Sequence, residues 1–331
     1  MKKFLIATLV AIMFLFSLTG CGVSSLSLKA QYWYEDETVT GYKEINETIE
    51  YDVSVVYKTP SNSNEVKNEN IWMEIENGTY TVNLRSSVDS KGNPCYEYST
   101  SLAIDGKYVS KTDSFSFNDR VTSTTKFYNI IKEFKPISTK KTSTCSTVVA
   151  SGQEGYGVMQ FAYEYTIDYQ EKNAITNYKL DLLGESDTKV VENRKETFKN
   201  YLENAYVDNE LLTLIPRTYG YDTAFSVTFN TIDVVTQKNQ KMLYSAVGSD
   251  SKIDIKNLEI FYELGGETVG AKDLAVAKVK IMIDDTFSGY PIETYYITDH
   301  KTHRHRMALA YTALNNDVGY LEYKISKVEF K

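Results

Sequence analysis

The chain has 331 residues and a formal net charge of −8, enough residues for one large or two ordinary domains. Nucleic acid is bound by clustered lysines and arginines that face phosphates, so an acidic chain argues against a nucleic-acid partner. The composition includes 27 tyrosines and 14 phenylalanines but only five prolines, which favours β-strands.

The first residues have the layout of a secretory signal. Lys2 and Lys3 precede an uncharged and mostly apolar run over residues 4–19, and small residues follow. This run is shorter than the roughly 20 residues that a bilayer-spanning helix needs. The sequence therefore predicts a signal peptide over 1–20 rather than a permanent transmembrane segment.

The end of this run resembles the lipobox of bacterial lipoproteins. Leu18, Thr19, Gly20 and Cys21 place a leucine three residues before a cysteine, with small residues between them. In that family the cysteine sulfur receives a diacylglycerol and the chain is cut before it. The resemblance implies a lipidated Cys21, a tether over 21–30 and a lipid-anchored protein at the extracytoplasmic face of the cell membrane. An ordinary signal peptide with a chance cysteine is the alternative.

The body of the chain alternates apolar and polar residues, which is the pattern of strands with one buried face. Asn77-Gly78 and Asp105-Gly106 each lie between two such runs. These pairs are typical of tight hairpins, because both turn residues need positive φ. The predicted strands are 50–57, 71–76, 79–84, 101–104, 107–109, 160–169, 176–182, 224–229, 274–283, 291–297 and 321–330.

Two short segments have helical spacing instead. Residues 125–134 carry apolar side chains at 127, 130, 131 and 134, and Pro136 follows. A second helix is predicted over 208–216, with Asp208 as its N-cap and Pro216 at its end. Together these elements predict a mainly β fold: curved antiparallel sheets, or an open half-barrel or sandwich, with one or two short helices.

The polar and glycine-rich stretch 138–157 predicts a boundary between a region over 31–150 and a C-terminal antiparallel region over 151–331. A wide hairpin loop within one continuous domain fits this stretch as well.

The second half resembles a family of uncharacterised exported bacterial proteins that have a curved antiparallel sheet. Leu211–Arg217 (LLTLIPR) stands where that family has a helical turn, and Tyr295–Asp299 (YYITD) stands where a strand ends in a fixed turn. The Pro216 position departs from the family turn. A more distant resemblance is to lipoprotein carriers, whose concave sheet holds an acyl chain. The resemblance implies binding of an apolar molecule in the envelope.

Two groups of residues are candidates for chemistry. Cys95 and Cys145 form an even pair in an exported chain, so a disulfide is permitted, and two separate buried thiols are the alternative. His303 and His305 would share one face of a strand, with Asp299 as a third zinc ligand. A neighbouring lysine and two arginines oppose a cation there, so we expect an exposed turn and no metal.

No nucleophile elbow or phosphate-binding loop occurs in the sequence, and we predict no catalytic residue and no cofactor. The favoured hypothesis is a non-catalytic envelope protein that binds an apolar or peptide-like ligand, or another envelope protein. The alternative is an extracytoplasmic hydrolase, or another enzyme, whose site forms only in three dimensions.

Overall fold

The computed structural model describes residues 44–130, 133–151, 155–183, 188–199, 207–218, 225–246, 251–262, 265–283, 292–298, 305–314 and 317–330. Within these ranges, fifteen strands form one sheet. The strands are β1 Asn46–Val56, β2 Ile71–Val88, β3 Pro94–Ser110, β4 Ser114–Ile130, β5 Glu133–Ser151, β6 Gly155–Tyr169, β7 Asn173–Leu183, β8 Thr188–Lys199, β9 Phe225–Asp233, β10 Lys238–Ala246, β11 Ser251–Tyr262, β12 Gly265–Ile283, β13 Ile292–Ile297, β14 Met307–Ala313 and β15 Tyr320–Phe330.

Strands β1 to β8 follow one another across the sheet as a meander, and β15 returns to pair with the free side of β1. The order then continues through β14, β13, β12 and β10 to β9, while β11 pairs with β12 and β15. The described pairs are antiparallel except β11 with β15. Strands β8 and β9 end the path, so the sheet is not closed into a barrel. The prediction of a mainly β, curved antiparallel fold is confirmed.

Alternation along each strand decides which face is buried. In β1, Ile49, Tyr51 and Val53 are buried, whereas Asp52 and Ser54 are exposed. The buried face of β1 to β4 packs against β10 and β12 to β15, and this contact forms the largest hydrophobic core. Each fully buried large apolar side chain contributes about 1.5–3 kcal/mol, so this contact is the main source of stability for the fold.

The tight hairpins predicted at Asn77-Gly78 and Asp105-Gly106 are wrong, because β2 and β3 run straight through these positions. A Cβ atom on Gly78 would lie 2.3 Å from the carbonyl oxygen of Val53. The glycine therefore serves close approach of two strands rather than a turn. The actual turn between β2 and β3 centres on Asp89, whose Oδ1 accepts hydrogen bonds from the N–H groups of Lys91 and Asn93.

The helix predicted over 125–134 is also wrong. Residues 125–130 belong to β4 and residues 133 and 134 to β5, and Thr125 and Phe127 are both fully buried on the inward face. A register shift lies between Lys126 and Phe127 in the pairing with β5. The apolar spacing is compatible with a helix, but strand pairing on both sides supplies backbone hydrogen bonds and burial that outweigh this local preference.

The second predicted helix is present in shortened form, as two 3-10 helices at Asn209–Leu211 and Ile215–Thr218. Asp208 is the N-cap, as predicted, and its side chain accepts from the N–H of Glu210. The polar stretch around 138–151 lies within β5. No helix in the described part of the chain is long and apolar enough to cross a bilayer.

Candidate functional site

Residues 207–218, here called the inserted segment, lie against the buried face of the sheet. Leu211, Leu214 and Ile215 are fully buried in the largest core. The segment also reaches β9, because the N–H of Val207 donates to the carbonyl of Asn230 at 2.9 Å. Apolar burial thus docks the segment, and its polar side chains are carried to the inner surface of β4, β5 and β6.

Asp208 is one of two carboxylates that the inserted segment places inside the sheet. It is 1% exposed and accepts hydrogen bonds from Thr139 Oγ1 at 2.5 Å and from the Tyr169 hydroxyl. Burial raises the pKa of Asp208, and these hydrogen bonds oppose that rise. The carboxylate is therefore held by donors from β5 and β6 in addition to capping its own helix.

Glu210 is the second carboxylate, and it forms an ion pair with Lys141 at 2.9 Å. The Tyr165 hydroxyl donates to the same oxygen. Burial alone would raise the pKa of Glu210, but the Lys141 charge and the hydrogen bonds lower it. Burial likewise disfavours the charged form of Lys141, yet Glu210 raises its pKa above the usual value. Both Lys141 and Glu210 are therefore charged in this ion pair.

A groove of about 320 Å³ opens beside this ion pair. That volume is at the lower end of the range for small-molecule sites. Aromatic and polar side chains dominate the lining, with a few aliphatic groups at the rim. The lining residues are Tyr80, Thr100, Lys141, Tyr163, Tyr165, Asn209, Glu210, Leu212, Thr213, Asp233, Val234 and Val235.

A second cluster of charges fixes the other end of the inserted segment. Glu47 on β1 accepts from Arg217 at 2.6 and 3.1 Å and from Arg306 Nε at 2.8 Å. All three side chains are at most 4% exposed. Burying a guanidinium group is costly unless it is paired, so the Glu47 carboxylate stabilises both arginines in the interior.

Of the three side chains considered as zinc ligands, the structure describes only His305. Asp299 and His303 lie outside the described residues. His305 is 1% exposed and has a φ of 67°, and its backbone N–H donates to Ile297 at 2.7 Å. The expectation of an exposed turn is therefore wrong at His305, which is buried beside Arg306. The described residues contain no cluster of three or more side chains suited to a metal ion.

The cysteines that could pair are free thiols in the structure. Cys95 begins β3, whereas Cys145 lies on β5 at the level of Asp119 and Ile104. The register separates them by about nine residues along the strands, or roughly 30 Å at 3.3 Å per residue. A disulfide needs Cα atoms within about 7 Å, so the bridge that the sequence permits is not formed, and the alternative of two separate thiols describes the structure. Cys21 lies outside the described residues.

The groove residues were missed by the sequence analysis. Lys141 and Glu210 are 69 positions apart, and nothing in either local pattern links them. Glu47 had a usable signal, because it stands at an inward position of the alternation that buries Ile49 and Tyr51. A charged residue in such a position needs a buried partner.

Comparison with solved structures finds a likeness to a protein of unknown function. The crystal structure of a beta-barrel-like protein of a domain of unknown function (DUF1849) from Brucella abortus aligns with a TM-score of 0.42 and 7% identity, covering 88% of this chain and 100% of that chain. No protein family and no curated protein sequence matches.

Proposed function

We propose that this chain is a non-catalytic binding protein of the cell envelope, anchored by lipid on Cys21 at the extracytoplasmic face. The resemblance of the N-terminal residues to lipoprotein signals supports the anchor. Replacing Cys21 by alanine should leave the precursor without lipid and move the protein out of the detergent phase. If the Cys21→Ala variant still partitions with membranes, the apolar run acts as an uncleaved anchor and the proposal is wrong on this point.

The groove beside Lys141 carries the binding part of the proposal. Tyr80, Tyr163 and Tyr165 offer ring surface and hydroxyl groups, while Lys141 and Glu210 add charge. A ligand with both apolar and hydrogen-bonding groups matches this lining better than a bare acyl chain. We therefore favour a small peptide-like ligand over a purely apolar one. Recognition of another envelope protein is the competing form of the same function.

The test is to purify the full-length protein from its native membrane and to identify the molecules that copurify by mass spectrometry. Val235 lies at the groove rim and is 47% exposed, so Val235→Trp should fill the groove at little cost to the fold. Val190, on β8, is 55% exposed and is not part of the groove lining, so Val190→Trp is the matched control.

We expect one small molecule to be lost only from Val235→Trp. Equal recovery from both variants would exclude the groove as the binding site. Copurification of an intact protein instead of a small molecule would favour the competing form.

One observation favours the enzyme alternative. The pKa of Asp208 is raised and that of Glu210 is lowered, and carboxyls with separated pKa values are a signature of acid–base pairs. However, Asp208 is enclosed by Thr139 and Tyr169 and does not line the groove. Recovery of a cleaved ligand from the wild-type protein, and of an intact one from Asp208→Asn, would establish the enzyme.

A further inference from the structure

Lys141 has unused hydrogen-bonding capacity in the groove. A lysine ammonium group carries three N–H donors. Within the described residues its only hydrogen-bond acceptor is Glu210 Oε1, at 2.9 Å. The Lys141 side chain is 21% exposed, so the remaining donors are reachable from the groove.

Both carboxylates that line the groove already accept hydrogen bonds from the protein. Glu210 receives hydrogen bonds from Lys141 and Tyr165. Asp233 receives the backbone N–H groups of Val235 and Thr236 within its own turn, and also the Gln240 side chain. The groove therefore offers donors to a ligand while its carboxylates are engaged within the protein, and a ligand that supplies an acceptor satisfies it best.

The charges that line the groove determine whether a charged or an uncharged acceptor on the ligand is favoured. The positive charge of Lys141 is balanced by Glu210 at 2.9 Å, and Asp233 adds a negative charge to the rim. A ligand carboxylate would enter a groove lined by two protein carboxylates and one lysine, which is unfavourable. An uncharged carbonyl oxygen accepts from Lys141 without this repulsion.

We propose that Lys141 donates to an uncharged amide carbonyl of the ligand, and that the ligand is a short peptide-like molecule without a free carboxylate at this end. This inference rests on the proposed function, because it assigns a recognition residue to the same groove. The rings of Tyr80 and Tyr163 provide surface for the adjoining apolar groups.

The experiment is a calorimetric titration of the full-length protein with two probes: an N-acetylated, C-amidated aromatic dipeptide, and the same dipeptide with a free carboxylate. We expect the amide to bind about tenfold more tightly than the acid, because it avoids the repulsion that a ligand carboxylate would meet from Glu210 and Asp233. Lys141→Met should weaken the amide by about tenfold or more. Lys140→Met is the matched control, because Lys140 is exposed on the opposite face of β5.

Lys141→Met leaves Glu210 buried without its ion pair, so its fold must be checked by thermal unfolding. The double variant Lys141→Met with Glu210→Gln removes both charges and should also lose amide binding while staying folded. Unchanged amide affinity in this double variant, tighter binding of the acid, or no binding of the amide would each overturn the role of Lys141. If Val235→Trp still abolishes recovery of the native ligand in that event, the groove proposal stands and only the ligand class is wrong.

Discussion

Replacing Glu47 by glutamine should strongly destabilise the protein. The Glu47 carboxylate is the shared partner of Arg217 and Arg306, and its contacts with them span 2.6–3.1 Å. Glutamine keeps the shape of the side chain but removes the charge. The buried guanidinium groups of Arg217 and Arg306 would then lose the carboxylate that they share, which is the costly way to break a buried ion pair.

Two estimates of the free energy of unfolding lost in Glu47→Gln are similar. Removing one partner of a buried pair costs about 3–5 kcal/mol. Burial raises the pKa of Glu47, but the two arginines outweigh burial and lower it from 4.5 to about 2. That difference corresponds to about 3 kcal/mol. Because the folded pKa is lowered, this stabilisation is complete above about pH 4.5 and is lost as the pH falls from there towards 2.

The assay is equilibrium urea unfolding of the full-length protein and its variants. Glu50→Gln is the matched control, because Glu50 lies on the same strand, is 45% exposed and contacts Lys327 at 3.5 Å. An exposed pair contributes at most about 1 kcal/mol. If Glu47→Gln loses no more free energy of unfolding than Glu50→Gln, the buried triad does not stabilise the fold and the reasoning fails.

Three further predictions use the same assay. Gly78→Ala should cost about 1–3 kcal/mol, because its Cβ would meet the Val53 carbonyl oxygen at 2.3 Å. Gly92→Ala should cost about 1 kcal/mol, because Gly92 has a φ of 82° but open space around it. Equal unfolding midpoints for the two variants would contradict the close approach at Gly78. Asp208→Ala should cost about 2 kcal/mol or more, because it removes the cap and the acceptor of Thr139, and a loss below 0.5 kcal/mol, on the order of an ordinary surface change, would refute this. A reducing agent should leave the midpoint unchanged because both described cysteines are free, so a shift would reveal a disulfide.

The strands were predictable because alternation reports directly on which side chains face the core. The predicted strand 321–330 and the observed β15 nearly coincide. The local sequence is enough to predict such a strand, because a one-residue shift in its register would turn every apolar side chain outward. The prediction of a mainly β fold needed nothing beyond this local pattern.

The hairpin turns at Asn77-Gly78 and Asp105-Gly106 were predicted wrongly because glycine has more than one structural use. Glycine after asparagine is common both where φ is positive and where two backbones approach closely. The sequence around Gly78 cannot distinguish these cases, because the atom that excludes a side chain belongs to Val53, 25 positions earlier. Likewise, the apolar spacing at 125–134 is compatible with a helix until β3 and β5 supply pairing on both sides.

The site depends still more on tertiary structure. Glu47 and Arg306 are 259 positions apart, and they meet only because β15 returns to pair with β1 while β14 follows beside it. No local pattern encodes this order. The isolated charge of Glu47 within an apolar alternation predicts that a buried partner exists, but it cannot identify that partner.

These contacts connect stability with binding. The inserted segment is held at one end by Asp208 and Glu210 and at the other by the bond from Arg217 to Glu47. Two of its residues that line the groove, Leu212 and Thr213, lie between these attachments. Because the inserted segment is fixed at both ends, it would lose little conformational freedom when a ligand binds in the groove, which favours affinity. The buried charges of Glu47 and its two arginines therefore serve the groove as well as the fold, although none of the three touches it.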